Sequence, residues 1–292
     1  MRVQAYRDIT QATISIDNAD GMVALAGGLW VKTDDGRVVR VDAATSKITL
    51  QVKVDRVSDP SHYCQGIGSD GTRVWACATR DTGTDLVQLD PISGHTLRTV
   101  AVDKVFDQLA IPFAAGRLWV LSADGSQLSA IDPATGSVTR YQLGRRCLQV
   151  AAHAARVVAT CALSNEVVEL DAATGRIVAV AAAKDARIAA LIGAEIWVDT
   201  AEGVARFPEG MSSSTVLHGL YAGTGGDLYA DADTLWLRSS QGVINHIDAR
   251  TDRVLDQINP DRTLSGGSLV VAFGSIWTTA GDEGELFRLR LG

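Results

Sequence analysis

The stretch GRLWVLSADGSQLSAIDPATGSVTRYQLG, residues 116–144, decides the fold. Leu118-Trp119-Val120 reads as a strand, Asp124-Gly125 as a two-residue hairpin turn, Ser129-Ala130-Ile131 as a second strand and Pro133-Ala134-Thr135-Gly136 as another turn. Val138 to Leu143 makes a third strand. The unit recurs: an apolar residue followed by Trp stands at Trp30, Trp75, Trp119, Trp197, Trp236 and Trp277, and ARVVA at 155–159 puts Val158 in the Trp place. Successive spacings of 45, 44, 39, 39, 39 and 41 residues match the period of a four-stranded propeller blade. Helical solenoids share that period. They are excluded because these segments are β-branched, alternate apolar with polar residues, and are broken by Asp-Gly or Pro-x-Thr-Gly.

A second marker follows each Trp, a strand ending in Asp42, Asp90, Asp132, Asp171 or Asp248. An Asp at a turn start accepts hydrogen bonds from the turn amides, and Gly94, Gly136 and Gly175 supply positive φ, so these aspartates are structural. The fifth unit has Phe207-Pro208-Glu209-Gly210 instead and should be the irregular blade. Each unit is then four antiparallel strands: A before the Trp, B containing it, C ending in Asp, and D after the turn. The last unit ends at Gly292 after its C strand, while residues 12–17, ATISID, alternate like a D strand. The prediction is one seven-bladed, all-β propeller domain over residues 1–292, closed by this N-terminal strand pairing with the last blade.

With 46% apolar residues the chain can bury a large core, and a net charge of -7 gives no basic footprint for nucleic acid. Arg outnumbers Lys 22 to 5, a bias given no functional weight. The apolar run Ile177 to Ala183 stops at Lys184-Asp185, short of the roughly 20 residues a membrane helix needs. No apolar signal-peptide core follows Met1. The chain is therefore cytoplasmic, or its export segment or a preceding domain is absent from it.

Four cysteines form two pairs, Cys64 with Cys77 and Cys147 with Cys161, and the first of each pair lies 11 positions before its blade's Trp place. A turn at Asp70-Gly71 sets Cys64 directly opposite Cys77, and a hairpin centred on 154 does the same for the second pair. Opposed residues of a non-hydrogen-bonded pair are about 4.5 Å apart, which a disulfide can span. Buried free thiols are the alternative; metal binding is disfavoured because no His falls at ligand spacing. Two disulfides would place the protein outside the cytoplasm.

A propeller offers a small molecule or a protein the mouth of its central channel. Twelve residues before each Trp place stand Asn18, Tyr63, Asp107, Arg146, Asp185, Thr224 and Ser265, all able to hydrogen-bond. Four positions further on, Met22, Ile67, Ile111, Val150, Ala189, Leu228 and Leu269 are all apolar. The polar column is expected at the mouth and the apolar one deeper, with His62, Gln108, Arg145 and Lys184 flanking the rim. Asp107, Arg146 and Asp185 would orient a ligand bearing donors and acceptors. Loop-to-strand junctions are commonly polar without binding anything, so that alternative stays open.

The Trp strand, the strand ending in Ile-Asp and the Pro-x-Thr-Gly turn, over residues 12–292, resemble the bacterial propellers of the streptogramin B lyase-like and YVTN-repeat group. The resemblance implies a seven-bladed ring with ligands at the funnel where the A strands begin. Such lyases pair His with Glu, including a Glu-x-His sequence, around Mg²⁺, and no Glu here has His two places on. His95 and His153 fall in turns, His218 on an outer strand and His246 on a C strand, leaving His62 at the mouth. Quinone-cofactor propellers follow Asp-x-x-Thr-Gly with a docking Trp, where this chain has Arg140. The expectation is a monomeric, non-catalytic binding or interaction module with no cofactor and no metal. The alternatives are a lyase or hydrolase of this fold, or the sensor ectodomain of a larger protein.

Overall fold

The computed structural model describes residues 1–55, 64–105 and 108–292. Seven sheets, each built on four antiparallel strands, form a seven-bladed β-propeller. Strand A of the blades runs over Ala19–Leu25, Ile67–Ser69, Phe113–Ala114, Gln149–His153, Ala189–Ile192, Asp227–Asp231 and Leu269–Ala272. These strands surround the channel, and B, C and D follow outward in each sheet. The Trp strands are Gly28–Thr33, Val74–Arg80, Arg117–Leu121, Arg156–Cys161, Glu195–Thr200, Thr234–Arg238 and Ser275–Ala280.

The Trp repeat marks the seams between blades. Buried apolar residues fall into seven clusters, each shared by two neighbouring blades and six of them holding one Trp. Trp119, for example, packs with Val150, Val157 and Ala159 of the following blade. The seventh cluster holds Val158 in the Trp place. All seven residues of the inner apolar column are buried, from Ile67 and Leu269 at 1% exposure to Ala189 at 8%.

Closure follows the predicted route: Thr10–Ser15 pairs antiparallel with Glu285–Arg290, with Ile14 opposite Leu286. The repeat pattern gives no sign of a further strand, Arg2–Ala5. It runs parallel to the outer strand Arg253–Asn259 of blade 6, and the short helix Tyr6–Ile9 carries the chain from it to blade 7. The edge of blade 6 is thereby covered. Arg2 Nε holds Asp256 at 2.7 Å, and Asp256 also meets Nδ1 of His246, whose ring stacks on Trp236 at 3.9 Å.

The five Asp turns are as read. The carboxylate of Asp132 accepts the amides of Ala134 and Thr135, and the same pattern recurs at Asp42, Asp90, Asp171 and Asp248. Where blades 2, 3 and 4 use glycine for the left-handed position, blades 1 and 6 use Ser46 (φ 56°) and Asp252 (φ 58°). Blade 5 is the irregular one, with a 3₁₀ turn at Glu209–Met211 and a three-residue outer strand, Thr215–Leu217.

Two turn readings need correction. Leu121 pairs with Leu128 and the Ser122 amide reaches Gln127 O, so Asp124-Gly125 lies inside a four-residue connection. In blade 2, Ile67 pairs with Ala76 and the Asp70 amide with Arg73 O, so the tight turn is Gly71-Thr72. The Asp70 carboxylate accepts the amides of Thr72 and Arg73 and the indole Nε1 of Trp75, which places Asp70 before the turn instead of inside it.

Both disulfides are present, Cys64–Cys77 with Cα atoms 5.9 Å apart and Cys147–Cys161. The pairs are diagonal, not directly opposed. Cys77 faces Gly66, whose carbonyl accepts its amide, and Cys64 donates its amide to Thr79 Oγ1. In blade 4, Gln149 pairs with Thr160, which displaces Cys147 from the position opposite Cys161 by one residue. Among the described residues no helix is long and apolar enough to cross a membrane.

Candidate functional site

The channel opens at the face where strands A begin into a cup of about 630 Å³. Its wall is a column of the repeat, ten residues before each Trp place: Asp20, Gln65, Leu109, Leu148, Arg187, Gly226 and Gly267, one from every blade. The predicted column lies two positions earlier, and of its five described residues Asn18, Arg146 and Ser265 do not line the cup. Asp185 and Thr224 line the cup. Asn18 is exposed in a left-handed turn, and its carbonyl accepts the Asp34 amide. Arg146 is exposed with Nε on Asp124 O, and Arg145 pairs with Glu166 at 2.9 Å. Ser265 is held by the Glu283 carboxylate. Gln108 is fully buried, its amide group spent on Ala110 O and the Leu121 amide. His62, Tyr63 and Asp107 lie outside the described residues.

Beneath the cup a smaller chamber of about 250 Å³ continues down the channel between blades 3 and 6, and Leu109, Gln149 and Ile188 belong to both walls. The entry segment of blade 3 closes the other side. Ile111 N donates to Ile67 O at 2.9 Å, and a Cβ on Gly68 would lie 1.9 Å from the Ile111 carbonyl oxygen. Glycine at 68 lets the two backbones meet.

The cup wall is fixed by side chains two places after each Trp. In five blades that residue is polar, buried, and reaches the entry segment of the next blade. Lys32 Nζ binds Asp55 at 2.8 Å with both side chains fully buried. Thr160 Oγ1 donates to Arg187 O at 2.6 Å, and Thr279 Oγ1 to Asp20 O at 3.1 Å. Asp199 accepts the amides of Ala222 (2.8 Å) and Gly223 (3.2 Å). Arg238 gives Nη2 to Ser265 O at 2.8 Å and Nε to Thr278 Oγ1. Each buried polar group is matched, as its desolvation demands. Burial pushes the Lys32 and Arg238 pKa values down and that of Asp199 up, the last opposed by its two amide bonds.

The column read from the sequence lies two residues before the cup column, and both columns fall at the entries to the A strands. The missed signal is the glycines. Gly226 and Gly267 mark places where the backbone comes close to Ala222 O and Thr279 O, as glycine inside a strand pattern commonly does.

No family model and no curated protein matches the chain. Among solved structures it is similar to BamB from Moraxella catarrhalis, at 14% identity and TM-score 0.60, over 97% of this chain and 99% of that one. It is also similar to the β-propeller domain of Cps50 (Swd1) from Myceliophteria thermophila, at 12% identity and TM-score 0.73, over 96% and 99%. These likenesses show the fold.

Proposed function

We propose that residues 1–292 form one domain that works as a recognition module, taking a small molecule or a protein at the cup. The observation that carries this reading is that all seven blades send the same strand-entry position into one open cavity, and that buried polar groups hold those entries in place. A cavity of this size with a few convergent polar groups is the usual form of a ligand site. Membership of the streptogramin B lyase-like and YVTN-repeat group is supported by the repeat motif itself. The lyase chemistry of that group finds little support in the histidines among the described residues. His95 is in a C–D turn, His153 ends an A strand, His218 follows an outer strand and His246 stacks on Trp236. Two disulfides support an extracytoplasmic location.

Amide NMR spectra recorded during titration with a fragment library test the site. Shifts gathered at Gln65, Leu148, Arg187, Thr224 and Gly267 support it; shifts gathered on the A–B and C–D turns of the opposite face would overturn it. Alkylation without reductant followed by intact mass tests the location argument, and four labelled thiols would remove it.

A further inference from the structure

The cup is polarised across its diameter. In a ring of seven, blade 4 lies opposite the junction of blades 7 and 1. Blade 4 contributes Leu148, Ala162 and Leu163, the last 67% exposed at the tip of a 3₁₀ turn, and Leu109 and Ile188 extend this apolar wall to either side. The opposite wall carries Asp20, Asp34 and Asp282, and Asp20 lies within electrostatic reach of the buried Arg238. The Asp34 carboxylate accepts a hydrogen bond from the neutral amide of Gln65, at 2.9 Å, and lies within electrostatic reach of Lys32, which is itself bound to Asp55; among the described residues no basic side chain forms an ion pair with Asp34 or Asp282. Among the described residues lining the cup the one cation, Arg187, is already held by Asp185. Below the apolar half, the lower chamber is lined mostly by small or apolar side chains such as Val150, Ala190 and Leu228, with Gln149, His153, Asp227 and Tyr229 as its polar lining.

We infer that the cup takes a small amphipathic cation, an alkylammonium whose charged head meets Asp34 and Asp282 and whose chain lies along Leu148 and Leu163 toward the lower chamber. This rests on the reading of the cup as a binding site. Asp34, half-buried in the concave wall, attracts a cation more strongly than the same group on open surface, and the exposed Asp282 adds to the field at the mouth. The apolar wall opposite gains by covering Leu163 and excludes a ligand charged at both ends.

Calorimetric titration of the full chain with octyltrimethylammonium, octanoate and octanol tests this. The expected result is saturable binding of octyltrimethylammonium, about tenfold tighter than octanoate, as two partly exposed charge contacts would give. Asp34→Asn/Asp282→Asn should erase that preference while leaving octanol binding unchanged, because the amide oxygen introduced at position 34 keeps an acceptor for Gln65. Ala152→Phe and, separately, Ala230→Leu should weaken all three probes by filling the chamber; using two sites guards against one variant failing to fold. Octanoate binding as well as or better than the cation overturns the ligand class and leaves the binding site standing. Saturable binding of none of the three overturns both.

Discussion

At the scale of single residues, the belt of polar side chains behind the cup makes the sharpest demand. Lys32 and Asp55 are both fully buried, and Asp55 also accepts the Thr79 amide. Asp55→Ala leaves a buried ammonium without its counter-charge and removes the acceptor of an amide, so it should cost about 3–5 kcal/mol in urea unfolding. Lys32→Met should cost a similar amount. The double variant should lose clearly less than the sum, since neither charge is then stranded. Additive losses would show that the two groups do not act as a pair. The sequence displays these residues openly, since Lys, Thr, Asp, Arg and Thr recur two places after a Trp or its stand-in. Their role was not legible because a polar residue at a strand end is ordinarily solvated, and only the next blade's entry segment buries it.

At the scale of elements, the Asp turns set an acid limb. Hydrogen bonds from Thr and Ser side chains or turn amides hold the Asp42, Asp90, Asp132, Asp171 and Asp248 carboxyls below their ordinary 3.8. The Ser122 and Ser126 bonds hold Asp124 at about 2. A carboxyl whose folded pKa is depressed contributes stability that is whole above its unfolded value and is lost as pH falls through the folded one. The urea midpoint should therefore drop as pH is taken from 4 toward about 2, with little change from this source between pH 5 and 7. Replacing Asp90, Asp132 and Asp171 by Asn keeps the acceptor but removes the titration, so the variant's acid limb should be shallower. An unchanged limb would assign acid sensitivity to other groups.

The disulfides belong to the same scale. Each closes 13 or 14 residues of chain, which in the chain-entropy view is worth about 3 kcal/mol. Reduction should lower the urea midpoint, and Cys64→Ser/Cys77→Ser should reproduce half of the effect. A reduced protein as stable as the oxidised one would contradict this. The pairing was legible because the first cysteine of each pair sits at the matching place in its blade. The register was not, because Asp70 binds the Thr72, Arg73 and Trp75 N–H groups from outside the turn and moves its tip by one residue.

At the scale of the molecule, the ring is closed by residues from its two ends, and the N-terminal 17 residues do two separable things. Thr10–Ser15 completes blade 7 and buries Ile14 to 8% exposure, Ile16 just after it is buried to 3%, and the helix before it buries Tyr6 and Ile9 to 3% and 5%. Four such side chains are worth about 6–12 kcal/mol of transfer free energy at 1.5–3 each, as much as the whole stability of an ordinary domain. Arg2–Ala5 buries little and adds a parallel strand and the exposed Arg2–Asp256 ion pair, worth about 1 kcal/mol or less. Removing residues 1–5 should thus leave a cooperative urea transition with a slightly lower midpoint. It should also leave the edge of blade 6 open, which gel filtration would register as self-association at high concentration. Removing residues 1–17 should abolish the cooperative transition, because the seam between blades 7 and 1 then lacks Ile14 and Ile16 and the strand Glu285–Arg290 becomes a free edge. If the longer truncation melts like the parent, the ring does not depend on this closure, and the seven inter-blade clusters hold it without the seal.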